Sequence, residues 1–271
     1  MIEDKDIAFA TTTLYTECLP LQQRLIEKLF PGSQRILIDG RDVLRWPSSM
    51  FEWIEAAKNQ DSKWTIHLDE DCFVTDRQAI EEAISMMESL SIDILGCPDG
   101  YHPPRPCNPI AINPFFMICR TDALRKMLHD FSKLSYKLDF KPIQTSAISM
   151  FGTAIFTSWR NSAGISFRHS YKDDFFYPHE KNERFSFEDG KEPYYALFWH
   201  AKDIGLKLGY LYPHFDENLL TTNPSIKKGG RELCVHMWES RHMKTDNKFY
   251  GKTARERFSS VAEYLKEKGI D

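Results

Sequence analysis

Several of the simplest functional assignments find nothing to rest on in this 271-residue chain. Excess positive charge is missing. Lys and Arg number 35 against 39 Asp and Glu, a formal net charge of -4, so no basic footprint marks nucleic acid as a partner. Closely paired cysteines are missing as well: Cys18, Cys72, Cys97, Cys107, Cys119 and Cys234 form no C-x-x-C pair, which argues against a zinc knuckle or a disulfide framework and for reduced thiols. No uninterrupted apolar stretch is long enough to span a bilayer. The amino end, Met-Ile-Glu-Asp-Lys-Asp, carries no apolar signal region, so the expected compartment is the cytoplasm. Internal repeats and low-complexity tracts are absent too. What is present is a chain with 42% hydrophobic and 13% aromatic residues, enough to bury a sizeable core and far from the composition of disorder.

The first half alternates. Ile-Ala-Phe-Ala-Thr-Thr-Thr-Leu-Tyr, between Asp6 and Thr16, reads as a strand that turns polar at its carboxyl end. Pro20 opens a helix that Pro31-Gly32 ends. Arg35 to Asp39 is a short apolar strand, Pro47 to Asn59 a helix, Trp64 to Leu68 a strand, Asp76 to about Leu90 a helix with apolar residues at helical spacing, and Ile92 to Gly96 another strand. Strand, helix, strand repeated in this way predicts a mainly parallel sheet flanked by helices. The carboxyl ends at Thr11–Tyr15, Asp39–Arg41 and Asp69–Asp71 then cluster on one edge, where such sheets bind ligands.

At that edge the strand beginning at Trp64 runs into Asp69, Glu70 and Asp71. On an extended chain Asp69 and Asp71 point one way and Glu70 the other. Two ionised carboxylates side by side repel, and a divalent cation removes the conflict. Mg²⁺ and Mn²⁺ are commonly held by one or two carboxylates plus substrate phosphates. Acids at a strand end are often no more than a solvated turn; the parallel-sheet context is what favours a metal site here.

The rest of the chain is less regular. Tyr-His-Pro-Pro-Arg-Pro-Cys-Asn-Pro after Gly100 is too rich in proline for a helix or a central strand and reads as an ordered loop. Asn113 to Arg120 is a strand, and Thr121 caps a helix to about Phe131. Between Ser132 and Gly190 the pattern weakens, with an aromatic and charged stretch at 167 to 180 that suits packing more than recognition. Glu192-Pro193 opens a helix to Gly205, Leu206 to Tyr212 is a strand, residues 213 to 251 are rich in turn formers but contain Leu-Cys-Val-His-Met-Trp at 233 to 238, and Thr253 to Lys268 is a terminal amphipathic helix.

The polar-ended first strand, the Leu-Asp-Glu-Asp strand, Asn-Pro-Phe-Phe-Met-Ile-Cys-Arg-Thr-Asp-Ala-Leu, and Glu192 followed by Asp-Ile-Gly-Leu-Lys-Leu-Gly-Tyr-Leu together resemble GT-A-fold glycosyltransferases, in pattern closest to inverting enzymes like those of family two. The resemblance covers roughly residues 6 to 212 as topology. It implies an α/β, GT-A-like (Rossmann-like) single catalytic domain over 1–271. Residues 1–120 would form the nucleotide-sugar half, and 121–271 the irregular acceptor half with a C-terminal helix. It also implies Mn²⁺ or Mg²⁺ on Asp69 and Asp71 with a late histidine, His236, and a nucleoside held among Thr11, Thr12, Asp39, Arg41 and Glu70. An acid at the start of the helix before the Gly-aromatic strand would serve as base: Glu192, with Asp189 and Glu188 as rivals, because Lys191-Glu192-Pro193 stands where Glu-Asp is usual. His214 and His242 are secondary metal candidates. Lys227, Lys228 and Arg231 have the charge to neutralise diphosphate oxygens, but surface solvation outweighs that reading for each.

The implied activity is transfer of a sugar from a nucleotide-sugar donor to a glycan or lipid-linked saccharide acceptor, with peripheral membrane contact if the acceptor is lipid-linked. Two other readings compete. A haloacid-dehalogenase-like phosphohydrolase also uses a strand-end Asp-x-Asp, but on its first core strand and with a threonine or valine where this chain has Phe73. The other is a sugar-nucleotide-binding homologue without turnover.

Overall fold

A computed structural model describes residues 2–40, 57, 60–99, 108–127, 198, 201 and 204–270. Among these residues the chain builds a six-stranded sheet from β1 (Ile7–Thr13), β2 (Gln34–Asp39), β3 (Trp64–Asp69), β5 (Ile94–Asp99), β6 (Asn108–Arg120) and β7 (Leu208–Tyr210), in the order β2-β1-β3-β6-β5-β7. β1 pairs in parallel with both β2 and β3, and β5 in parallel with β7. β6 runs antiparallel between β3 and β5. Loop length explains the reversal: only residues 100–107 separate β5 from β6, short of the dozen or so that a parallel crossover needs. The architecture is therefore mixed α/β with a mostly parallel central sheet.

Helices pack against this sheet. α1 (Cys18–Leu29) buries Leu21, Leu25 and Ile26, and α2 (Arg77–Leu90) buries Ile80, Ala83, Ile84 and Met87. α2 is fixed at both ends: Asp76 Oδ1 accepts from Ala79 N at its start, and Ser91 takes the left-handed conformation at its close. Their apolar faces meet Phe9, Ile66, Leu68, Leu95 and Phe116 of the sheet in one core.

A second, antiparallel sheet of four strands has the order β4-β10-β9-β8, with β4 at Cys72–Val74, β8 at Tyr212–Asp216, β9 at Thr221–Ser225 and β10 at Cys234–His236. Its strands at 212–236 occupy a region whose turn formers pointed to irregular chain. β9 is Thr-Thr-Asn-Pro-Ser, buried throughout, a strand made by its neighbours rather than by propensity. A small hairpin, β11 (Lys248–Phe249) and β12 (Lys252–Thr253), leads into α3 (Ala254–Glu267). The Thr253 hydroxyl and the Glu256 carboxylate form a reciprocal capping box at the start of α3. Val261 and Leu265 of α3 join Cys18, Leu21 and Leu25 of α1 with Phe73 and Val235 in a second core.

Some sequence expectations shift here. β5 and β6 extend through Pro98 and from Asn108, closer to the proline-rich stretch than expected, and register irregularities at Gly96/Pro98 and Pro98/Asp99 accommodate the proline. The expected strand at 206–212 is split between β7 and β8, which lie in different sheets. The helix expected over 47–59, apart from Ala57, the loop around 101–107 and the region 132–190 lie outside the described residues. Ala57, Phe198 and Ala201 are each helical and buried. Among the described residues, no helix is long and apolar enough to cross a membrane.

Candidate metal centre

β3 ends at Asp69, and Glu70-Asp71 form a two-residue turn from which the chain leaves as β4 for the second sheet. β10 lies antiparallel to β4 with His236 opposite Cys72, the residue after Asp71. That pairing brings a histidine from a distant stretch to the carboxylates: one ligand atom each of Asp69, Asp71 and His236 lies within 4.8 Å of the others. His236 Nε2 is 3.3 Å from Asp71 Oδ1. Donors around a small ion with bonds of about 2.1 Å stand about 3 to 4.2 Å apart, so this group, within 4.8 Å, could hold one divalent ion with a small inward adjustment of its side chains. Two carboxylate oxygens and an imidazole suit Mn²⁺, and the harder Mg²⁺ accepts the oxygens.

The supporting contacts are as telling as the ligands. Gln22 of α1 is fully buried and donates from Nε2 to the carbonyls of Asp69 (2.5 Å) and Cys72 (2.9 Å), closing the acidic turn from beneath. Its Oε1 accepts from Thr11 Oγ1 at 3.0 Å. Asp71 is held on both sides: its carbonyl accepts from Met237 N and its Oδ2 from Ser240 N, each at 3.0 Å. His236 stacks face to face on Phe115 of β6, centroids 4.2 Å apart, and is flanked by Trp238, whose indole N–H bonds Thr222 Oγ1.

Electrostatics separate the two aspartates. Burial, with the neighbouring Asp71 and Glu70 charges, pushes the Asp69 carboxyl up to about 8, and Arg241 pulls against it. Burial acts upward on Asp71 too, but His236 and the Ser240 hydrogen bonds outweigh it and hold Asp71 below the usual carboxylate range. The two carboxyls are thus shifted in opposite directions, as expected of close acids that repel when both are charged.

The other expected site residues divide by position. Thr12 stands opposite Asp69 and Thr13 opposite Asp39 across β1, so Thr12 and Asp39 share the carboxyl edge with the acids. Thr12 Oγ1 is buried with no hydrogen-bond partner among the described residues. Thr11 faces inward, its hydroxyl committed to Gln22. Glu70 points away from the other two acids: its Oε2 accepts from Thr13 Oγ1 (2.6 Å) and from the backbone N–H groups of Leu14 and Thr16 (3.2 Å each). That grip holds a loop in which Tyr15 takes φ +56° and stays 45% exposed beside the site. Arg41, Glu188, Asp189 and Glu192 lie outside the described residues. His214 is exposed on β8, His242 faces Glu239 at 3.3 Å, and Arg231 turns to Asp76 and Gln78. Lys227 and Lys228 are exposed.

Residues that the sequence did not flag complete the centre: Gln22, Phe115, Ser240 and Arg241. Only Gln22 left a trace, as an amide on the otherwise apolar face of α1.

No protein-family model and no curated protein matches the chain. Among solved structures it is similar to a glycosyltransferase involved in the glycosylation of the major capsid of PBCV-1, at 18% identity and TM-score 0.34, over 53% of this chain and 72% of that one. It is also similar to 4-diphosphocytidyl-2C-methyl-D-erythritol synthase from Anaerococcus prevotii, at 13% identity and TM-score 0.34, over 55% of this chain and 84% of that one. The third is S. aureus TarS, at 9% identity and TM-score 0.33, over 58% and 73%. At these values the likenesses assign neither family nor activity.

Proposed function

We propose that the chain is a divalent-metal-dependent glycosyltransferase of GT-A type that moves a sugar from a nucleoside-diphosphate sugar to a hydroxyl of a glycan or lipid-linked saccharide, with inversion at the anomeric carbon. The observation that carries this reading is the grouping of Asp69, Asp71 and His236 at the carboxyl edge of parallel strands, where α/β sheets take nucleotides. When bound, the ion would draw charge from the diphosphate and ease departure of the leaving group. Thr12, Asp39 and the exposed ring of Tyr15 would line the nucleoside, with Arg41 beyond them. Glu70 would keep the Tyr15 loop in place through the three bonds it accepts. Arg241, whose charge acts on Asp69, would face the diphosphate side. Glu192, or Asp189 in its place, would take the acceptor's proton as the hydroxyl attacks, since a neutral hydroxyl is a poor nucleophile.

A thermal-shift panel of nucleoside diphosphates and nucleotide sugars, each with and without Mn²⁺, tests the proposal. A rise with one nucleotide only when Mn²⁺ is present is expected, about 2.7 kcal/mol at a hundredfold excess over Kd. In D71N that rise should vanish while the circular dichroism spectrum is retained. A full Mn²⁺-dependent response in D71N would sink the metal assignment.

A further inference from the structure

Arg257, on α3, is among the largest fully buried side chains, 1% exposed, although it is a guanidinium. A buried charge is costly unless it is paired, and among the described residues no carboxylate lies within ion-pair distance of it. Its Nη1 is given instead to two backbone carbonyls, those of Met237 and Trp238, the latter at 2.7 Å, and its plane lies over the Phe249 ring at 5.0 Å. The two carbonyls belong to a conformationally costly stretch. Trp238 and Glu239 adopt φ of +62° and +61°, a left-handed pair with no glycine in it.

That stretch is the one that grips Asp71. Met237 N bonds the Asp71 carbonyl, and the left-handed pair turns the chain so that Ser240 N meets Asp71 Oδ2. The residue before it is His236, with Nε2 near Asp71 Oδ1. Burial lowers the affinity of Arg257 for its proton, and the fields of Asp71 and Glu239 oppose that.

We propose that Arg257 is a positioning residue of the metal centre: by holding the Met237 and Trp238 carbonyls it fixes the 237–240 turn, which in turn aims Asp71 Oδ1 and His236 at one ion. This rests on the metal reading of Asp69, Asp71 and His236. It makes α3 a working part of the site, although no residue of that helix reaches the ion. The guanidinium shape matters, because it directs one charge-assisted donor group at two carbonyls while stacking on a ring, a geometry an ammonium does not reproduce.

The test is Mn²⁺ affinity, measured without nucleotide or substrate by electron paramagnetic resonance of free Mn²⁺, in wild type, R257M, R257K, R257Q and V261A. Val261 is buried on the same helix in the second core, which also holds Met237, but its side chain has no polar atom and makes none of the hydrogen bonds of the 237–240 turn, so V261A reports what general loosening of α3 does. R257M should bind Mn²⁺ at least about tenfold more weakly, within the range seen when residues supporting metal ligands are lost. R257K should recover part of that loss, and V261A should lower the thermal midpoint with near wild-type affinity. Equal affinity in R257M and wild type overturns the proposal, as does an equal loss in V261A. Where R257M does not accumulate as folded protein, R257Q and R257K are decisive in the same way, and wild-type affinity in R257Q overturns it. No Mn²⁺ binding by wild type would remove the metal reading itself, an outcome distinct from tight binding that is indifferent to residue 257.

Discussion

Asp69 and Asp71 are two residues apart and chemically identical, yet their surroundings shift their pKa values in opposite directions. Asp69 is pushed up to about 8 by burial and the adjacent acids, against about 3.9 in an unfolded chain. The folded state therefore holds that proton more tightly. Its contribution to stability is complete below about pH 4 and is lost as pH rises towards 8. Metal binding must expel the same proton, so Mn²⁺ affinity should climb about tenfold per pH unit towards pH 8 and then level off. Calorimetric titration across that range checks this, with D69N, which has no proton to lose, giving a weak and flat profile. A wild-type affinity independent of pH would contradict the assigned state.

Glu70 shows how an acid in the same triplet serves another purpose. Its Oε2 gathers three donors from the loop after β1. E70Q exchanges a charged acceptor for a weaker one and should cost about 1–3 kcal/mol in urea denaturation, with Mn²⁺ affinity near wild type. Unchanged stability with lost Mn²⁺ binding would instead make Glu70 a ligand.

At the scale of elements, the candidate metal centre is a junction. β3 brings Asp69, the turn brings Asp71, β10 brings His236, and β6 supplies Phe115 beneath the imidazole. Phe115 is 1% exposed and touches two of the ring residues at the site. F115A should lose about 3–5 kcal/mol, as large buried side chains do when truncated, and F115L less. Both should weaken Mn²⁺ binding, because the imidazole loses the surface that orients it. Equal Mn²⁺ affinity in F115L and wild type would show that the stack is packing alone. Strands β1, β2, β3 and β5 and helices α1 and α2 were legible because apolar period and turn signals are local properties of the chain. The antiparallel course of β6 was not, because its sequence pattern seemed to begin at Asn113, which left room for a crossover that the true start at Asn108 denies.

For the whole molecule, the sheet centre carries one titratable weakness. His67, in the middle of β3 between β1 and β6, is pushed down to about 4 by burial, with its bond to the Pro114 carbonyl opposing. A carbonyl only accepts, so Nδ1 carries the proton. A depressed histidine stabilises fully above its unfolded value of about 6.5, and that stability is lost as pH falls towards 4. Acid unfolding of the wild type should therefore steepen below about pH 6.5. H67N, which keeps a donor near the Nδ1 position and cannot titrate, should flatten that decline in denaturation curves taken at several pH values. A parallel decline in both proteins would place the acid sensitivity elsewhere.

By itself the sequence determined the fold class: period and propensity specify β1, β2, β3 and β5 with α1 and α2, and the polar ends of β1, β2 and β3 mark the sheet edge on which the candidate site lies. It also made Asp69 and Asp71 conspicuous, since two acids at the end of an apolar strand are a local signal. Only the tertiary structure decided what surrounds them. The β4–β10 pairing joins Cys72 to His236 across more than half the chain, Gln22 ties the acidic turn to α1, and Arg257 ties the 237–240 turn to α3. Contacts between segments so far apart depend on register and packing, which no local pattern of residues encodes.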